Sequence, residues 1–230
     1  MRDMIDATRF AISTEETRYY LNGIYLHKSD QGDLCAVATD GHRLALTRQG
    51  LPSGAAGMPS IIVPRKAVTE LRKLLDDVEG EVGVALSDTR AEFTFGAVRL
   101  KTKLIDGTFP DYTRVIPQGN DRIMQVDAAS FSAAVDRVST ISSEKSRSVK
   151  MKLAPGVLNL SASSTDASSA VEELEISYDG AEMEIGFNAR YLLDIASQVE
   201  SDIIEFALAD QGSPSLVRAP GDESTLFVLM

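Results

Sequence analysis

Apolar residues fall at every second position through much of this chain. Val82, Val84 and Leu86 are two apart, as are Phe93 and Phe95, and Val98, Leu100 and Leu104 keep the same phase. Val149, Met151 and Leu153 repeat the pattern, followed by Leu174, Ile176 and Tyr178, and by Met183, Ile185 and Phe187. Ile204, Phe206 and Leu208 precede a last run through Leu226 and Val228. A period of two puts alternate side chains on one buried face, so these stretches read as strands. Helical spacing occurs in four places. Met1, Met4, Ile5 and Thr8 predict a helix at the start. Pro64 stands where a first-turn proline is tolerated, ahead of Val68, Leu71 and Leu75. Asp127 is a predicted cap for a helix with Phe131, Ala134, Val135 and Val138 inward. Asn188 caps another, with Tyr191, Leu192, Ile195 and Val199 inward. Few helices among many strands predict an α+β fold.

The order repeats. Helix, several strands, helix and several strands describe residues 1–122, and again residues 123–230, with Ile62–Leu75 aligning on Gly186–Val199. Two similar domains are therefore expected, each with two helices packed on antiparallel β-sheets. The turn-rich stretch Pro117-Gln118-Gly119-Asn120-Asp121 marks the expected boundary.

Composition narrows the function. With 230 residues, 43% of them hydrophobic, the chain can bury two cores. No apolar run approaches membrane-spanning length and no signal peptide opens the chain, so a soluble cytoplasmic protein is expected. The single cysteine, Cys35, lies in an apolar run and reads as a buried strand position. One cysteine and two histidines, His27 and His42, offer no metal-ligand cluster, and no cofactor is expected. The net charge of -11 argues against nucleic acid unless the cations are segregated.

They are partly segregated. Arg65, Lys66, Thr69, Arg72 and Lys73 share one helical face opposite Val68, Leu71, Leu74 and Leu75, although Glu70, Asp76 and Asp77 lie close by. Such a face suits sequence-blind phosphate contact, or is an ordinary solvated surface. Arg18-Tyr19-Tyr20 joins a cation to two rings that can stack on unpaired bases or simply pack a strand edge. Ala38 to Ala45, Ala-Thr-Asp-Gly-His-Arg-Leu-Ala, sets Asp40-Gly41 as a tight turn between two apolar runs. Asp40, His42 and Arg43 could serve a hydrolase or phosphoesterase, but no second carboxylate cluster, phosphate-cradling glycine loop or serine elbow accompanies them.

That octapeptide, Tyr19-Tyr20-Leu21-Asn22-Gly23, Ile62-Val63-Pro64-Arg65-Lys66, Phe109-Pro110-Asp111-Tyr112 and Gly180-Ala181-Glu182-Met183-Glu184-Ile185-Gly186-Phe187-Asn188 resemble the bacterial DNA polymerase III beta sliding clamp family, in that family's order. The resemblance implies a DNA-clamp fold and a processivity factor, not an enzyme. Such a factor encircles duplex DNA without sequence preference and tethers the replicative polymerase through a peptide-binding groove. Implied partners are the polymerase III alpha subunit, the clamp loader and other clamp-binding peptides.

By motif position the groove would use Leu21, Thr39, Gly41, His42, Arg43, Leu44 and Pro110, then Arg114 and Val115, then Asn188, Tyr191, Val228, Leu229 and Met230. DNA contact is implied for Arg18, Tyr19, Tyr20, Arg65, Lys66, Arg72 and Lys73, with Arg137 and Arg190 as thinner counterparts. Thr140, Ile141, Glu172 and Glu173 would lie on the subunit interface of a head-to-tail homodimer. Family members have three domains, and the likeness covers the second, without its first strand, and the third, without its last few residues. Ser146 replaces a bulkier residue frequent in the family. This chain alone is accordingly expected to be a monomer with a weakened groove.

Overall fold

The computed structural model describes residues 1–76, 80–141, 147–164 and 168–230. They form two compact units, Met1–Tyr112 and Thr113–Met230. The division falls earlier than the expected boundary after Arg122. One reason is Asn120, whose amide donates to the carbonyls of Ala207 and Pro214, both at 2.9 Å, tying the turn-rich stretch to the second unit.

The first unit runs α1 (Arg2–Arg9), β1 (Gly23–Lys28), β2 (Asp33–Thr39), β3 (Arg43–Gly50), β4 (Ile61–Pro64), α2 (Arg65–Leu74), β5 (Gly83–Leu86), β6 (Arg90–Phe95) and β7 (Val98–Lys103). Its strands pair antiparallel in the orders β4-β1-β2-β3 and β5-β6-β7. Met4, Ile5 and Thr8 of α1 and Ala67, Val68 and Leu71 of α2 are buried, as their spacing predicts. Pro64 is the residue before α2 in extended conformation, a cap position rather than the first turn. Strand β2 is buried from Leu34 to Thr39 without alternation, which places Cys35 in the core.

The second unit runs β8 (Arg122–Asp127), α3 (Ala128–Ser139), β9 (Ser148–Ala154), β10 (Val157–Ser163), β11 (Ser169–Glu175), β12 (Met183–Asn188), α4 (Ala189–Ala196), β13 (Ile203–Leu208), β14 (Ser215–Arg218) and β15 (Thr225–Leu229). Strands pair in the orders β11-β10-β9-β12 and β15-β14-β13-β8. Alternation is clean here. Val149, Met151 and Leu153 are fully buried, with Met151 and Leu153 opposite Leu160 and Leu158 of β10 across the ladder. Asp127 and Asn188 cap α3 and α4, accepting from the amides of Ser130 and Arg190 at 2.7 and 2.9 Å.

Apart from β8, the second unit repeats the first element by element. The difference explains a departure from the expected pattern. Strand β13 is flanked by β14 and β8, whereas β5 pairs with β6 alone among the described residues. Ala91, Phe93 and Phe95 of the central strand β6 are buried, but Val84 of β5 is 44% exposed and Val98 of β7 is 38% exposed. Their alternation marks strands correctly and burial incorrectly.

Candidate functional site

The tip between β2 and β3 is built from its own side chains. Asp40 Oδ1 accepts from the amides of His42 and Arg43 at 2.9 and 3.0 Å, while Oδ2 accepts from Arg43 Nε at 3.1 Å. Thr39 Oγ1 donates to the Arg43 carbonyl at 2.7 Å and accepts from the Gly41 amide at 3.1 Å. Gly41 takes φ +88°, a conformation other residues adopt only with strain. Arg43 is buried, donates to the Phe10 carbonyl at 2.9 Å and lies 5.1 Å from the centroid of the Phe10 ring. Leu44 and Thr39 are buried as well, and Gly41 and His42 are exposed.

This geometry corrects one expectation. Both oxygens of Asp40 are engaged by the turn, so it is not arranged as the acid partner of His42, and nothing supports the hydrolase reading. Arg43 braces the hairpin from inside, donating to Asp40 and to the Phe10 carbonyl. Phe10, which supplies the carbonyl and the ring, carries no motif that sequence reasoning could have used.

Arg18 reaches the same tip. Its Nε and Nη2 donate to the two oxygens of Glu15 at 2.8 Å each, and Nη2 also donates to the Asp40 carbonyl at 2.9 Å. Glu15 was readable as an i,i+3 partner; Asp40 was not. Tyr19 and Tyr20 follow in a short 3-10 turn, their rings edge to face at 5.8 Å, with Tyr19 53% exposed.

The cationic face of α2 is smaller than its spacing predicts. Arg72 Nε meets both oxygens of Asp6 at 2.6 and 2.7 Å, and Nη1 pairs with Asp76, leaving the side chain only 19% exposed. Lys73 pairs with Glu70 at 3.2 Å. Arg65 and Lys66 are exposed in the first turn. Asp6 lies too far away in sequence for any local pattern to reveal it. Asp77 and Ser146 lie outside the described residues.

In the second unit, Arg137 and Glu172, expected in different roles, bind each other at 2.6 and 2.7 Å, which holds the Glu172 carboxyl below the usual range. Arg190 lies 3.7 Å from Asp194, and with Thr140 and Arg147 it lines an open cleft of about 320 Å³ beside α3 and α4. Thr140 is exposed and Ile141 half-buried. Glu173 is exposed on β11, whose Val171 is 65% exposed.

An aromatic latch holds the end of the first unit. Tyr25 stacks on His27 at 4.7 Å and on Phe109 at 4.8 Å. His27 Nδ1 faces the Lys28 carbonyl at 3.0 Å, which can only accept, so in the neutral ring Nε2 accepts from the Tyr112 hydroxyl at 2.9 Å. Burial, above all, pushes the Tyr112 phenol up to about 12 from its ordinary 10.0. The folded chain therefore holds the proton where the unfolded chain loses it. This contribution to stability is full below pH 10 and falls as the pH rises from 10 toward 12. An ultraviolet titration should show a tyrosinate step near pH 12 that Tyr112→Phe removes. A Tyr112→Phe titration curve with that step still present would contradict the assignment.

Comparison with known proteins decides the family. Residues 1–111 match the model of the DNA polymerase III beta subunit central domain, and residues 113–230 match its C-terminal domain. The chain belongs to the DNA polymerase III beta subunit family. It is 53% identical over 230 residues to the beta sliding clamp of Caulobacter vibrioides, covering 99% of this chain and 62% of that protein. It is 35% identical over 234 residues to the Escherichia coli beta sliding clamp, covering 100% of this chain and 62% of that protein. The chain thus spans about three-fifths of the length of these relatives. A Bartonella birtlesii sliding clamp solved bound to griselimycin superposes with a TM-score of 0.97 at 51% identity, covering 100% of this chain and 62% of that one.

The other positions implied by the beta subunit family are placed unit by unit. In the first, Leu21 is buried and Pro110 exposed. In the second, Arg114 is exposed and Val115 half-buried in a 3-10 turn, Asn188 is engaged as a helix cap, and Tyr191 is half-buried. Val228 and Leu229 are buried and Met230 is exposed. No helix among the described residues is long and apolar enough to cross a membrane.

Proposed function

We propose that this chain is the central and C-terminal part of a DNA sliding clamp, a non-enzymatic processivity factor of replication. The observation that carries the reading is the unbroken match of both units, in order, to two consecutive domains of one family. The closed chemistry of the hairpin tip supports it, since Asp40 and Arg43 serve the fold and leave no catalytic dyad. The proposed partners are duplex DNA, the polymerase III alpha subunit, the clamp loader and clamp-binding peptides. Tethering of this kind raises the polymerase's effective concentration at the primer end without new chemistry. The peptide groove is proposed at the residues named by motif position. Within that set, Gly41, His42, Pro110, Arg114 and Met230 are the exposed members. Head-to-tail pairing through Thr140, Ile141, Glu172 and Glu173 is proposed for the longer family members, and a monomer for this chain alone.

DNA contact is proposed chiefly for Arg65 and Lys66, because Arg72 is held by two carboxylates. Replacing both by glutamate should weaken duplex binding at low salt. It should also flatten the plot of log affinity against log salt by about 0.9 for each phosphate no longer neutralised, thus by ~1.8 for the pair. An unchanged slope in the double variant would remove this face from the DNA surface. So few phosphate contacts suit a protein that must slide.

A further inference from the structure

Two strand edges stand unpaired among the described residues, and the charges beside them are opposite. Strand β7 ends the order β5-β6-β7, and β11 begins the order β11-β10-β9-β12. On β7, Arg99, Lys101 and Lys103 are exposed on the face away from the buried Ala91, Phe93 and Phe95 of β6. Arg90 of β6 shares that face, and the carboxylate among them, Glu92, meets Arg99 at 2.9 Å and Lys101 at 3.0 Å. A positive excess therefore remains here, within a chain of net charge -11. On β11, Glu173 and Glu175 are exposed on the face away from the buried Leu158 and Leu160 of β10. Neither is paired with a cation among the described residues.

We propose that β7 of one copy of this chain pairs antiparallel with β11 of a second copy. Setting Lys101 opposite Glu173 brings Arg99 opposite Glu175, Leu100 opposite Leu174 and Thr102 opposite Glu172. Like faces then meet. The cations and acids fall on the outer face of both sheets, and the two half-buried leucines fall on the core side of both. A slip of one residue would turn the charges of one strand toward the apolar face of the other, so the register is specified. The proposal goes beyond the clamp reading and does not depend on it. At dilution the chain is the monomer proposed above, and the contact forms as concentration rises, because so short an edge makes a small, transient interface. The two surfaces differ, so each added copy presents a fresh β7 or β11 edge to the next.

The test is a charge swap read by sedimentation velocity over rising concentration at low salt. The native chain should show a concentration-dependent rise in sedimentation coefficient. One variant carries Arg99→Glu and Lys101→Glu, and the other carries Glu173→Lys and Glu175→Lys. Each sets like charges opposite each other in its own pairing, so each alone should associate about tenfold more weakly than the native chain. Mixed in equal amounts the two should regain association, because acidic β7 then meets basic β11 and the remaining native edges meet each other. The Glu173/Glu175 variant has less net negative charge than the native chain, so general repulsion by itself would make it associate more, not less. Amide exchange should slow with concentration along β7 and β11 and stay unchanged along β5. If the Arg99/Lys101 variant loses its circular dichroism signal, the Glu173/Glu175 variant decides alone, since its changes break no ion pair among the described residues. A native chain that stays monomeric up to about 1 mM overturns the proposal. So does association that survives Glu173→Lys with Glu175→Lys, a mixture of folded variants that stays monomeric, or exchange protection that falls elsewhere than on these two strands.

Discussion

An Arg43→Ala chain should lose about 2–3 kcal/mol of stability in its first unit, more than any other single change at the hairpin. The side chain is 7% exposed, and its removal strips a donor from Asp40, which is 19% exposed, and from the carbonyl of Phe10. Both acceptors are then left short of partners where water reaches them poorly, and the packing against the Phe10 ring goes too. Partial exposure of Asp40 keeps the cost below that of a fully buried pair. Arg43→Lys should recover little, because an ammonium cannot reach the carboxylate and the carbonyl with one rigid fork. Urea unfolding combined with amide exchange at His42 and Arg43 reads the effect. A loss below about 1 kcal/mol would mean that Arg43 is dispensable to the tip.

In the second unit the largest effect is expected from Phe131→Ala, at about 3–5 kcal/mol. Phe131 is fully buried, with its ring 5.4 Å from that of Phe206 and inclined at 60° to it. Ala134, Val135 and Val138 are equally closed to solvent on the same helix, so little can move in to fill the space. The cost combines lost transfer energy, a cavity, and a ring contact worth about 0.5–1.5 kcal/mol beyond area. Phe131→Leu should cost roughly 1–2 kcal/mol, since it keeps most of the volume. Exchange of α3 and β13 amides under mild urea separates the two variants. Equal protection in both would show that the pair does not anchor this core.

Most of the architecture was legible because burial in the second unit is one-sided. Where one face of a strand meets the core, as along Val149, Met151 and Leu153, alternation reports the outcome directly. Strand β2 hid its period because both of its faces are covered, and β5 misled because its apolar face is open. At the site, residue types were readable and their engagements were not. Arg72 has the spacing of a surface cation but stands beside Asp6, and Arg137 and Glu172, assigned by motif to separate surfaces, meet each other. Pairings between distant segments decide which charges remain available, and no local window contains them.

The open side of β5 also bears on how copies of this chain meet in solution. Among the described residues its outer edge has no strand partner, and such a row of amides and carbonyls invites a neighbour to zip on, yet this row is only four residues long and is bracketed in sequence by Glu81 and Asp88. At neutral pH two molecules approaching edge to edge bring those acids together, within an overall charge of -11. That repulsion fades toward the isoelectric region near 4.7, so mild alkalinity, not acid, is what keeps a concentrated preparation clear.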